Sequence, residues 1–131
     1  MTTPATELDP DALVRAYVGT FEKKDASLLA QYLHPEVVFR NYGDREVHGR
    51  GALLDVWAGV FGQFEVVRFE TVNQAVNGQV VLAEQIHHLG LPGGPVAPVM
   101  NLAVYEIKDG LIAAWRDYSN PEVARQLLSG K

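Results

Sequence analysis

Four long β-rich runs, Phe64–Val76, Gln79–Leu91, Val96–Ile107 and Leu111–Tyr118, fill most of the second half of this chain. Only tight turn signals part them: Asn77-Gly78, Pro92-Gly93-Gly94 and Asp109-Gly110. Residues of these types take up the left-handed backbone angles that hairpins need, so successive runs fold back on one another as an antiparallel meander. A meander of this length has an apolar face that something must cover. The first half of the chain supplies the cover. Asp9-Pro10 opens a helix, with Asp9 as N-cap and Pro10 at the first helical position. Leu13, Ala16, Tyr17, Thr20 and Phe21 then recur at helical spacing to about residue 23. Asp25 caps a second short helix from Ala26 to Leu33, stopped at His34-Pro35 because the residue before proline is driven out of helical space. Glu36 to Tyr42 reads as a short strand and Gly43 to Gly49 as a polar loop. A third helix, roughly Gly51 to Gln63, carries Leu53, Leu54, Trp57, Val60 and Phe61 on one side. Asn120-Pro121 starts a last helix, to about Leu128. Residues 1–8 read as a disordered tail and 9–131 as one domain. The expected architecture is α+β: a curved, mostly antiparallel sheet wrapped around helices, forming a cone-shaped barrel with an internal pocket.

Composition narrows the functional classes. A single domain of 131 residues buries roughly two-thirds of its unfolded surface. The net charge of −5, with eleven basic residues scattered apart from Lys23-Lys24, argues against a nucleic-acid partner, which needs clustered cations. Cysteine is absent, which excludes disulfide and thiolate chemistry and suits a cytoplasmic protein. The first residues lack the basic start and apolar stretch of a secretory leader, and no apolar run nears the ~20 residues of a membrane span. A soluble cytoplasmic domain with no membrane association is expected.

One residue stands out chemically. Read as a strand, Leu111–Tyr118 places Leu111, Ala113, Trp115 and Asp117 on one face. A carboxylate on so apolar a face is costly unless it is paired or has chemistry to do, which makes Asp117 the first candidate for an acid or base. Gln85 and His87 likewise share a face, two apart on their run, while Leu82, Glu84, Ile86 and His88 occupy the other. Parity alone does not say which face looks inward. A His87–Asp117 pair has a physical logic: the anion favours imidazolium and fixes the ring tautomer. Either Asp117 is the base and His87 the proton donor, or Asp117 orients His87 as the base while Tyr17, Asn41 or Asn101 stabilises an oxyanion. Trp57 and Trp115 read as core or pocket wall. The adjacent His87-His88 rings point to opposite faces and cannot chelate one ion together, and His34 and His48 lack ligand spacing, so no metal site is expected. Pro92-Gly93-Gly94-Pro95 joins two strands and lacks the helix N-terminus of a phosphate loop, so no cofactor is expected either.

The element order and local text resemble the nuclear transport factor 2-like superfamily, in its SnoaL-like and limonene-epoxide hydrolase-like branch. The text concerned is Gly49-Arg50 opening a helix, Ala58-Gly59-Val60-Phe61 closing it, and Asp109-Gly110 through Trp115-Arg116-Asp117-Tyr118. Resemblance to limonene-epoxide hydrolases implies that Asp117 is the general base and Asn41 helps hold its water. Phe39 then stands where those enzymes have a second water-holding tyrosine, Gln85 where they have a bridging arginine and His87 where they have an acid aspartate. Resemblance to ketosteroid isomerases sets Tyr17 at an oxyanion-hole tyrosine and Asn101 near a protonated acid, with Asn41 at the proton-shuttling aspartate. The superfamily also implies a homodimer formed through the outer face of the sheet, where Leu82, Ile86, Met100, Leu102 and Val104 are compatible with an apolar interface. The expected function is a cofactor-independent acid–base enzyme acting on a small apolar molecule, by epoxide hydrolysis, ring opening or polyketide-type cyclisation. The alternatives are a non-catalytic ligand-binding or assembly module and a ketosteroid-isomerase-like isomerase.

Overall fold

A computed structural model describes residues 4–129. Helix α1 (Pro10–Thr20) begins as its sequence dictates, the Asp9 carboxylate accepting from the Ala12 amide at 2.8 Å. Its inward stripe is Leu13, Val14, Tyr17 and Val18, with Phe21 just beyond the helix. Lys24, at φ 54°, then turns the chain, and Asp25 caps Ala26–Tyr32, which is a 3-10 helix rather than an α-helix. Strand β1 (Leu33–Asn41) follows directly, so His34-Pro35 ends the helix by entering the sheet. The polar loop after it includes a two-residue strand, β2 (Val47–His48), paired to β1. Helix α2 (Arg50–Gln63) buries Leu53, Trp57 and Phe61, spaced four apart on one stripe.

The meander is formed by β3 (Val66–Asn77), β4 (Val80–Gly90), β5 (Val96–Lys108) and β6 (Leu111–Tyr118). Its β5–β6 turn, Asp109-Gly110, has both residues at positive φ, 55° and 74°. The six strands form one sheet in the order β2-β1-β6-β5-β4-β3. All neighbours are antiparallel except β1 and β6, whose parallel pairing sets Arg40 opposite Arg116 and Asn41 opposite Asp117. Register shifts between Thr71 and Asn73 on β3 and between Glu106 and Ile107 on β5 are the kind of irregularity that bends a sheet. The inner face of the curved sheet closes on α1 and α2, which is the α+β cone expected. Helix α3 (Pro121–Ser129), capped by Asn120, packs beside β5 and buries no residue completely.

The N-terminal expectation needs one correction. Residues 1–3 lie outside the described residues, but Ala5–Glu7 forms a 3-10 turn instead of a disordered tail. Ala5 is buried and Leu8 packs against the core, so apolar contact orders a segment that polarity alone would leave frayed. No helix among the described residues is long and apolar enough to cross a membrane.

Candidate active site

Strand alternation resolves the ambiguity left by parity. Gln85 and His87 on β4, Asn101, Ala103 and Tyr105 on β5, and Trp115 and Asp117 on β6 all face inward and are buried. The antiparallel register brings them together, with Gln85 opposite Asn101 and Ala103 opposite Asp117. Leu82, Glu84, Ile86 and His88 face outward, and His88 pairs there with Glu70.

The side chains form one connected polar cluster in an apolar surround. The Asn101 Nδ2 donates to Asp117 Oδ1 at 3.0 Å and lies 3.3 Å from Gln85 Oε1 and 3.2 Å from His87 Nε2. His87 Nε2 is 2.8 Å from Gln85 Oε1, and Gln85 Nε2 donates to the Tyr105 hydroxyl at 3.1 Å. An amide oxygen only accepts, so His87 carries its proton on Nε2 and leaves the Nδ1 lone pair free. Two amide hydrogens on Asn101 then serve Asp117 and Gln85. Trp115 Nε1 donates to the same Asp117 oxygen, Oδ1, at 2.8 Å. Among the described residues no donor reaches Asp117 Oδ2, which is therefore the oxygen free to take a proton.

Electrostatics set the protonation states. Asp117 is buried, at 5% exposure, and has no cationic partner among the described residues. Desolvation raises its pKa from 3.8 to about 6, against the opposing pull of the Asn101 and Trp115 hydrogen bonds. His87 stacks on Phe69 with ring centroids 3.7 Å apart, and desolvation, reinforced by the neighbouring His88, lowers its pKa from 6.5 to about 3. His87 is thus neutral at physiological pH. This corrects the carboxylate–imidazolium pair expected from sequence: His87 bonds to Gln85, Asn101 stands between it and Asp117, and desolvation by burial keeps the imidazole neutral. Arg116, an ordinary structural partner for Asp117, points outward and pairs with Glu106 instead.

The remaining candidates divide clearly. Tyr17 is fully buried, its ring edge-on to Trp115 at 5.4 Å, and its hydroxyl has no partner among the described residues. Burial, with Tyr105 and Asp117 nearby, raises the pKa of that hydroxyl, so it stays a neutral donor. Trp57 stacks on Trp115 at 5.5 Å and its Nε1 is also unpartnered. Phe39 packs against Trp115 at 4.2 Å. Asn41 lies beside Asp117 in the register but its side chain bonds to Ser119, at 3.5 Å, and stays outside the cluster. Tyr105 and Phe69 belong to the site and went unread in the sequence. The Asn101–Ala103–Tyr105 alternation was the available signal for Tyr105. Phe69 becomes visible only with the β3–β4 register, which sets it opposite His87. The Asn101 Oδ1 is likewise buried without a partner, an acceptor waiting for a donor. A cavity of about 450 Å³ at the ends of β1 and β6 has Asp117 in its lining but is walled mainly by outward-facing Arg40, Tyr42, Arg116 and Tyr118, and one of about 140 Å³ touches Gln85 and Asn101 between outward-facing Glu84, Met100 and Leu102.

Comparison with known proteins places this geometry in a family. The family model for the SnoaL-like domain matches residues 14–115. The chain belongs to the SnoaL-like family. That match ends two residues before Asp117, so membership speaks for the scaffold. Among solved structures, a limonene-epoxide-hydrolase-like (LEH-like) epoxide hydrolase from M. tuberculosis superposes with a TM-score of 0.80 at 21% identity, covering 91% of this chain and 88% of that one. A protein from Shewanella denitrificans OS-217 assigned to the SnoaL-like polyketide cyclases gives 0.82 at 14% identity, covering 93% and 98%. A protein with a ketosteroid isomerase-like fold from Catenulispora acidiphila gives 0.81 at 16%, covering 90% and 92%. SnoaL-like folds therefore enclose this chain's cluster, and identities this low carry the fold alone.

Proposed function

We propose that this SnoaL-like protein is a cofactor-independent acid–base enzyme in which Asp117 moves the proton of a small, largely apolar substrate. The observation that carries this reading is a fully buried carboxylate held by two neutral donors and no cation among the described residues, with one oxygen left free. A purely structural carboxylate at that depth is ordinarily neutralised by a guanidinium or ammonium, and here none is supplied. A pKa of about 6 leaves Asp117 ionised at neutral pH yet poised to return the proton it takes. Asn101 Oδ1 and the Tyr17 hydroxyl offer an unpartnered acceptor and an unpartnered donor for the substrate's polar atoms. Epoxide hydrolysis and carbonyl-directed cyclisation both begin with a base. Hydrolysis also needs a separate acid for the departing oxygen, and neutral His87 does not provide one. A one-carboxylate shuttle, abstracting a proton beside a carbonyl and returning it to oxygen, fits the cluster better.

The test uses 2-tetralone, a small apolar ketone, with exchange of its α-proton into D₂O followed by NMR. Catalysed exchange should show kcat/KM rising about tenfold per pH unit below about 6 and level above it. Styrene oxide hydrolysis with no ketone exchange would turn the assignment to a hydrolase. Inertness toward ketones and epoxides alike would favour the binding-module alternative.

We also propose a homodimer through the outer face of the sheet. Leu82, Met100 and Leu102 are 46%, 59% and 57% exposed there, an apolar cluster that a lone domain leaves in water. Light scattering at micromolar concentration should give twice the 14.4 kDa chain mass, and Leu102→Glu should halve it. A monomeric wild type would overturn the proposal.

A further inference from the structure

The end of the β1–β6 pair that carries Asp117 presents, on its outer face, a second constellation that the buried cluster does not use. The parallel register aligns Arg40 with Arg116, and alternation turns both guanidiniums to the face opposite the Asp117 carboxylate. Neighbouring like charges on adjacent strands repel unless each finds an anion. Glu106 holds Arg116. Arg40 is exposed and has no carboxylate partner among the described residues. Beside them the rings of Tyr42 and Tyr118 lie 6.1 Å apart, tilted by 38°. These four residues, with Gly43 and Asp117, line the cavity of about 450 Å³. A neighbouring hollow of about 420 Å³ opens between the same two tyrosines and Ser119, Asn120 and Pro121.

We propose that this outer cleft binds a planar aromatic carboxylate, on the face of the sheet opposite the Asp117 carboxylate. Volume, charge and wall chemistry each point the same way. The cavity falls within the roughly 300–1,000 Å³ typical of small-ligand sites. The forked guanidinium of Arg40 matches a carboxylate with two parallel hydrogen bonds, and Arg116, already held by Glu106, adds positive potential beside it. The tyrosine rings, in contact with each other and both exposed, supply faces on which a flat ligand stacks. The chain's net charge of −5 makes an unpaired cation beside aromatic walls a local exception, so an anion drawn here is held by this corner and not by the molecule's overall field.

The probe is 2-naphthoate, followed by isothermal titration calorimetry, with 2-naphthamide as its uncharged counterpart. Saturable 1:1 binding is expected, with the amide weaker. Arg40→Gln should weaken naphthoate about five- to tenfold and leave the amide unchanged, the effect of losing one partly solvated charge-assisted pair. Tyr118→Ala should weaken both. Arg40→Gln should leave the α-proton exchange assigned to Asp117 unchanged, which separates this site from the proposed catalytic one. Absence of saturable binding up to about 5 mM would overturn the proposal, since that affinity is already near the weakest that a specific site gives. So would equal binding of acid and amide, or naphthoate binding seen only with the monomeric Leu102→Glu variant, since Tyr118 stands opposite Leu102 and the dimer would then cover the cleft.

Discussion

Asp117→Asn should abolish turnover and, at neutral pH, make the protein more stable. The two effects share one cause. Asparagine keeps an oxygen at the Oδ1 position to accept from Trp115 and Asn101, so the local geometry persists. What is lost is the proton-accepting oxygen, and a general base contributes on the order of 10²–10⁴ in rate. The stability change follows from linkage. Asp117 has a pKa of about 6 in the folded chain against an ordinary 3.8, so between those values the native state binds the extra proton. Its contribution to stability is therefore greatest below 3.8, falls as pH rises, and is fully lost above about 6. At pH 7 the buried anion costs on the order of 2–3 kcal/mol, because each tenfold change in proton affinity between the folded and unfolded chain is worth about 1.4 kcal/mol. Urea denaturation at pH 7 should show the variant more stable by that order, and at pH 3.5 the advantage should vanish. A variant that is destabilised at pH 7 would mean that the charged carboxylate is structural, and the catalytic reading would lose its main support.

The fold was legible because its signals are local. Turn residues parted the four β runs, Asp9-Pro10 and Asn120-Pro121 fixed two helix starts, and four-residue spacing marked the Trp57 stripe on α2. Asp117 was legible for a similar reason: one charge on an apolar face is visible from period two alone. The environment that sets its chemistry was not. Asn101 as the bridge between Gln85 and Asp117 depends on the β4–β5–β6 register, and Phe69 stacked on His87 depends on the β3–β4 register. Register is a long-range property that no window of sequence contains. His87 illustrates the consequence. Its spacing from Gln85 was readable, but its charge was decided by burial, to which a ring eighteen residues upstream, at position 69, contributes. The Arg40–Arg116 pairing was hidden in the same way, since a parallel contact between the first long strand and the last leaves no local trace.

His87→Gln should make the protein resistant to acid while leaving the pH dependence of turnover in place. The folded pKa of His87, about 3, lies below its ordinary 6.5, so the unfolded chain binds the extra proton across that interval. Stability from His87 is complete above about 6.5 and drains away as pH falls toward 3. Asp117 slopes the other way from 3.8 to about 6, so in the wild type the two groups offset one another across roughly pH 4–6. Glutamine has no proton to gain. With the imidazole gone, only the Asp117 slope remains, and stability should climb as pH falls from 6 to 4 by on the order of 3 kcal/mol relative to wild type. Loss of the stack on Phe69 lowers stability at every pH alike, so the slope and not the absolute value is the reading. Turnover separates a positioning role from a proton-carrying one. If His87 only steadies Gln85 and Asn101, the variant keeps the kinetic limb near pH 6 and loses a modest factor in rate. Disappearance of that limb would make the imidazole the proton carrier, and Asp117 the group that orients it.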